Sequence, residues 1–145
     1  MASIFDVPIE LDVFSKNFRH PSLPALNFVP DLYDLLPHLP TNHTAKGQWP
    51  APWLSSFFSP GVYFVFDDSL NLLYVGVSTV AISIRTYDHF RTDRSTGLCS
   101  PKDTWPSQPR FIAALPVNPS MAWDACGLEC YLIQQLKPPK NIQRV

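Results

Sequence analysis

The sequence predicts an α/β fold of the α+β kind: a small, mainly antiparallel three-stranded sheet flanked by helices, with a proline-rich N-terminal arm wrapped on it. Three observations carry this. Two β-branched and aromatic runs, Gly61-Val62-Tyr63-Phe64-Val65-Phe66 and Leu72-Leu73-Tyr74-Val75-Gly76, flank the polar cluster Asp67-Asp68-Ser69-Leu70-Asn71, the pattern of an antiparallel hairpin. Helical spacing follows near Thr79 or Val80 and again from Ala122, with a third apolar run between. Prolines stand at 8, 21, 24, 30, 37, 40, 50, 52 and 60, which interrupts any long helix or central strand before residue 61.

The 145 residues suffice for one domain with a core and are too few for two comfortable ones. The expected division is an arm over residues 1–60 and a folded domain over 61–145. A net charge of −1 excludes a protein that holds nucleic acid by bulk electrostatics, so any such contact rests on a local patch. No apolar run approaches the roughly 20 residues of a membrane helix. Met1-Ala2-Ser3-Ile4-Phe5-Asp6 lacks the basic start and apolar core of a signal peptide, so a cytoplasmic protein without a membrane partner is expected. Cys99, Cys126 and Cys130 contain no Cys-x-x-Cys pair and read as reduced thiols packed as small hydrophobes. His20, His38 and His43 have no metal-ligand spacing.

In the arm, Asp31-Leu32-Tyr33-Asp34-Leu35-Leu36 reads as two helical turns with Pro30 at the first helical position and Leu32, Leu35 and Leu36 facing one way. Phe5, Phe14, Phe18, Phe28, Trp49, Trp53, Phe57 and Phe58 make the segment too apolar for a disordered tail. The arm is therefore expected to cover apolar sheet or helix surface. A homodimer or protein-partner contact through residues 1–60, or a substrate-selecting element, is the alternative.

In the hairpin, Tyr63 opposite Tyr74 puts both on one face, with Asp68 and Ser69 at the tip, and Gly76 and Ser78 follow on that face at period two. The next helix is expected to pack through Val80, Ile84 and Tyr87. Arg85 and His89, four apart, stay neighbours beside that stripe. Residues 91–108 read as a long polar loop holding Arg91, Arg94 and Lys102 against Asp93 and Asp103. Arg110 to Val117 is the third strand, and Ser120 the N-cap of the last helix. That helix carries Ala122, Ala125, Cys126, Ile133 and Leu136 on one stripe, and Glu129 falls on it too. An ionised carboxylate there is costly unless paired, hydrogen-bonded or bound to a cation; the plainer reading is an edge glutamate whose head reaches water.

Gly61-Val62-Tyr63, Tyr74-Val75-Gly76, Arg85 and His89 resemble, in order and spacing, the defining residues of the GIY-YIG nuclease family. Glu129-Cys130-Tyr131-Leu132-Ile133 through Lys137-Pro138 to Asn141 resembles the family's C-terminal signature, close to its repair-nuclease branch. The resemblance covers residues 61–145. It implies a metal-dependent DNA endonuclease in restriction, repair or mobile-element processing, with Tyr63, Tyr74, Arg85, His89, Glu129 and Asn141 as catalytic residues. Tyr63 would position or deprotonate the water, Tyr74 and His89 would bond around the phosphate, and Asn141 would brace the site.

Magnesium or manganese, which take oxygen ligands and keep several waters, suit a single protein carboxylate, here Glu129. Arg85 suits nonbridging phosphate oxygens through its forked donors. A phenol titrating near pH 10 is a poor base at neutrality unless a cation lowers it; otherwise His89 is the better one. Gly76, Ser78, Arg91, Arg94 and Lys102 are the expected DNA-contacting residues, although the loop holding the last three reads equally as solvated surface. A catalytically inactive nucleic-acid-binding module of the same fold is the alternative function, and a coincidental α/β domain with structural tyrosines is a third.

Overall fold

The computed structural model describes residues 1–26, 28, 31–49 and 55–142. Pro30, Pro50, Pro52 and Trp53 lie outside the described residues. The chain opens with a helix, α1 (Asp6–Phe18), where the prolines had predicted little structure. Pro8 sits in its first turn, where the missing N–H has no helical acceptor to lose. Val7, Leu11 and Phe14, spaced four and three apart, are its buried face. The two helical turns expected over residues 31–36 are instead a strand, β1 (Tyr33–Asp34), which runs antiparallel to the third strand of the domain. Tertiary pairing overrides the local helical spacing there: the Asp34 carboxylate receives Arg110 Nε at 2.7 Å and Nη2 at 3.0 Å, and also the Leu36 N–H at 2.9 Å. A second short strand, β2 (Gly47–Gln48), pairs parallel to β1.

The hairpin forms as β3 (Gly61–Phe66) and β4 (Leu72–Ser78). Then come α2 (Ile82–His89), the strands β5 (Phe90–Thr92) and β6 (Cys99–Pro101), and β7 (Phe111–Pro116). A 3-10 turn over Pro119–Met121 leads into α3 (Ala122–Leu136), and α4 (Pro139–Ile142) follows. The main sheet runs β2-β1-β7-β3-β4, a mixed sheet of five strands rather than three, with two supplied by residues before 61. The expected loop over residues 91–108 begins with β5 and β6 paired as a separate antiparallel hairpin.

Four local expectations need correction. Tyr63 pairs with Gly76, and Tyr74 with Val65, so the tyrosines are offset by two residues while sharing a face. The Asp67 carboxylate sets this register by accepting the N–H groups of Ser69 and Asn71, both at 2.9 Å, and Leu70 turns the chain at φ 63°. Helix α2 buries Ile82, Ser83, Thr86 and His89 and leaves Val80, Ile84 and Tyr87 exposed, because it packs through the face that meets the tyrosines. Helix α3 buries Asp124, Ala125, Leu128 and Leu132; Cys126 and Cys130 are exposed, and only Cys99 is a buried thiol. Ser120 does not cap α3, which begins after Met121 without a side-chain cap; Asn118 caps the preceding 3-10 turn instead, its Oδ1 accepting the Ser120 N–H at 3.0 Å.

The two faces of the sheet build two cores. On one, Val62, Phe64, Val75, Ala113 and Leu115 pack under α1 and α3. On the other, Tyr63, Val65, Tyr74 and Ile112 pack with Tyr33, Leu35, Phe57, Ile82 and Phe90. Both cores therefore take residues from before and after position 60. A bifurcated ion pair ties the layers on the first side: Arg19 Nε and Nη2 donate to Asp124 Oδ2 at 3.0 and 2.8 Å, both side chains buried.

Candidate active site

Alternation along β3 and β4 puts Tyr63 and Tyr74 on the face that α2 covers, and the last turn of α2 brings His89 down between them. Tyr63 Oη and His89 Nε2 are 2.9 Å apart; which of them carries the shared proton follows the imidazole's tautomer. The His89 ring meets the Tyr74 ring edge-on with centroids 4.8 Å apart, and the two tyrosine rings are 5.9 Å apart. Gly76 makes the arrangement possible, because the Tyr63 ring lies across its α-carbon where any Cβ would meet Cζ and Oη. Tyr63 is fully buried, while Tyr74 and His89 are each 4% exposed.

Arg85 lies one turn before His89 on α2, half-exposed, with its Nη1 paired to Asp88 at 3.0 Å. Glu129 is half-buried on α3, beside the fully buried Leu128 and Leu132 and on the opposite face of the sheet from Tyr63. Both charges nevertheless act on the same phenol. Burial pushes the Tyr63 hydroxyl well above its ordinary value, the neighbouring Tyr74 adds to that, Arg85 pulls it back down, and Glu129 raises it. Tyr63, Tyr74 and His89 thus cluster on one face of the sheet at the edge strand β4, with Arg85 on the helix that covers them and Glu129 on the helix that covers the other face.

Helix α4 secures that strand from outside the sheet. The Asn141 amide accepts the Val75 N–H at Oδ1 and donates from Nδ2 to the Val75 carbonyl, each at 2.8 Å, so it stands in for a neighbouring strand between Tyr74 and Gly76. The preceding residue, Lys140, is buried and donates to Asp103 Oδ2 at 2.8 Å and to the Thr104 carbonyl. Asp103 also accepts Trp105 Nε1–H at 3.0 Å, and the Lys140 ammonium stands 5.2 Å over the indole. Trp105 in turn meets Tyr74 at 5.8 Å and His89 at 5.9 Å and stacks on Phe90 at 5.5 Å. Asp103, Trp105 and Lys140 are members of the cluster that the sequence did not single out. Trp105 lies in a polar stretch with no periodicity, and the pairing of Asp103 with Lys140 spans 37 positions.

The remaining expected contacts divide into two groups. Gly76 and Ser78 have structural work: the Ser78 hydroxyl accepts the N–H groups of Val80 at 3.2 Å and Ala81 at 3.0 Å at the entry to α2. Arg91, Arg94 and Lys102 are exposed on or beside the β5–β6 hairpin, which leaves directly from His89.

Among the described residues, no group of three or more His, Cys, Asp and Glu is arranged to hold a metal ion. No helix of the described residues is long and apolar enough to cross a membrane. In comparisons with known proteins, no family model matches this chain, and neither a curated protein nor a solved structure does.

Proposed function

We propose that this protein is a metal-dependent DNA endonuclease of the GIY-YIG type. The observation that carries the reading is the joining of the Tyr63 hydroxyl to His89 at 2.9 Å, with Tyr74 edge-on against that imidazole and Arg85 one turn before it on α2. Phosphodiester hydrolysis needs a proton acceptor for water, cationic donors for the charge that grows on the phosphate, and help for the leaving oxygen. Glu129, as a single half-buried carboxylate rather than one of a cluster of three or more metal-ligating residues, fits magnesium or manganese with water and phosphate oxygens completing the shell, and does not fit the closed nitrogen and sulfur set of zinc. The ion would supply charge stabilisation at the phosphate and leaving oxygen.

The chain's own residues divide the remaining work. Arg85 is exposed enough to exchange Asp88 for a nonbridging phosphate oxygen. A phenol held protonated by burial is a poor base, so Tyr63 orients His89 from behind. With its Nε2–H donated to the Tyr63 oxygen, the imidazole accepts the proton of the attacking water at Nδ1. Tyr74, edge-on against that imidazole, is the second hydroxyl for the phosphate, and Asn141 holds β4 beside it.

The deep burial of Tyr63, Tyr74 and His89 also favours a second reading, a nucleic-acid-binding module of the same fold without catalysis, in which the three rings serve as core. Incubation with duplex, nicked, branched and single-stranded DNA in magnesium separates the two. Cleavage by the parent and none by Glu129→Gln supports the endonuclease. Binding with no cleavage of any substrate, in magnesium or manganese, leaves the module.

A further inference from the structure

The β5–β6 hairpin has a buried root and a free tip. Its register pairs Phe90 with Pro101, Arg91 with Ser100 and Thr92 with Cys99. Alternation therefore sets Phe90, Thr92, Cys99 and Pro101 on one face and Arg91 and Ser100 on the other. Phe90 and Cys99 are buried, Phe90 stacks on Trp105, and the Lys102 N–H bonds the His89 carbonyl at 2.8 Å, so the root is fixed to the candidate active site.

The tip is held in shape without help from the rest of the molecule. The Asp93 carboxylate accepts the Ser95 N–H at 2.8 Å, the Ser95 hydroxyl at 2.6 Å and the Thr96 N–H at 3.1 Å. Those bonds hold its carboxyl below the usual range. Gly97 closes the turn at φ 72° and donates its N–H to the Asp93 carbonyl at 2.8 Å.

Charge distinguishes this hairpin from the rest of the surface. Lys16, Arg19, Lys46, Arg85, Arg110 and Lys140 all stand in ion pairs. Among the described residues, Arg91, Arg94 and Lys102 form none, and apart from them the same is true only of Lys137, at the end of α3. In a chain of net charge −1, three of the four described cations left for a polyanion stand on or beside one ribbon at the candidate site. A two-stranded ribbon fits the major groove of B-form DNA, about 12 Å wide and 8.5 Å deep. Three residues per strand rise about 10 Å, which matches that depth. The deep, narrow major groove of duplex RNA excludes such a ribbon.

We propose that the β5–β6 hairpin reads duplex DNA in the major groove, with Arg94 at the tip contacting base edges and Arg91 and Lys102 nearer the root contacting phosphates. The inference rests on the endonuclease reading for its setting: because β5 begins at the residue after His89, the bases read would fix which phosphate is cut.

The test uses the full chain without divalent metal, against a randomised duplex library and in salt titrations, with cleavage in magnesium measured alongside. The parent should enrich a short base preference. Arg94→Ala should lose it at one or two positions while still binding duplex DNA. Arg91→Ala and Lys102→Ala should weaken binding to all sequences alike and each lower the slope of log affinity against log salt by about 1. No preference in the parent, a preference unchanged by Arg94→Ala, or equal affinity for duplex RNA overturns the proposal, and intact cleavage in any of these cases spares the endonuclease reading. Hairpin-dependent preference in a chain that never cleaves does the reverse.

Discussion

The Tyr63 ring crosses the backbone of Gly76 so closely that a methyl group at position 76 would overlap its Cζ and Oη. The ring cannot retreat, because it is fully buried and its hydroxyl is bonded to His89. Gly76→Ala should therefore cost about 1–3 kcal/mol, the usual scale for overfilling a packed core. Urea unfolding measures that loss. The Tyr63–His89 bond should go with it, so cleavage by the folded fraction should fall as well; an alanine variant with parental stability and rate would show that the ring is free to move.

Glu129→Gln should abolish cleavage while leaving DNA affinity nearly unchanged, since the amide keeps the shape and loses the charge. Filter binding and a plasmid-nicking assay read the two quantities separately. Equal cleavage by variant and parent removes Glu129 from the chemistry.

Arg85→Ala should slow cleavage at least about 10²-fold, the scale for losing one charge-stabilising donor group. Arg85→Lys should recover little, because an ammonium lacks the fork. Asp88→Asn frees the guanidinium from its partner 3.0 Å away and should lower the KM for DNA without lowering kcat. Turnover near the parent's in Arg85→Ala would instead point to Arg91 or Arg94 as the phosphate-binding cation.

Acid should loosen the closure over Tyr74 and His89. Burial works to raise the Asp103 carboxyl, but the hydrogen bond and charge of Lys140 outweigh it, with Trp105 and His89 adding to them, and hold it below the ordinary range. A carboxyl whose folded value is depressed contributes stability that is fully present above its unfolded value and is lost as pH falls through the folded one. The parent should therefore lose stability below about pH 4, where unfolded carboxyls take up protons. Asp103→Asn should be less stable at pH 7 and show a shallower acid limb, which thermal melts at pH 3 to 7 would register. Parallel limbs for variant and parent would refute the assignment.

A chain beginning near Ser59 should be poorly soluble. It lacks Val7, Leu11 and Phe14 on one face of the sheet and Tyr33, Leu35 and Trp49 on the other, and it leaves β7 as a bare edge. A soluble fragment with parental activity would show that these contacts are dispensable.

The central hairpin, the third strand and the last two main helices were legible because their apolar residues recur at the spacing of their own elements. Helix α1 was hidden by Pro8, which is harmless in a first turn. Strand β1 was hidden because its partners Phe111 and Ile112 lie far along the chain. Of the cluster, spacing puts Tyr63 with Tyr74 and Arg85 with His89, and Asn141 was named through the family resemblance, whereas Trp105 and Asp103 are placed by Lys140, a contact no local pattern announces. The stripe Val80, Ile84 and Tyr87 misled for a related reason: α2 buries the polar Ser83, Thr86 and His89, because the surface it meets includes the tyrosine cluster.

The Asn141 amide that clasps Val75 also sets an order of assembly. Strands β7, β3 and β4 are all present in the chain by Pro116, yet the outward N–H and carbonyl of Val75 in β4 wait for Asn141, 25 positions further on (141 − 116 = 25), to pair them. During synthesis that margin stays open to the matching strand of a neighbouring nascent chain, and the nearby polypeptides on a crowded polysome are the nearest source of one. Closing the candidate cluster and capping this edge of the sheet are then the same late event, performed by two consecutive side chains, Lys140 and Asn141.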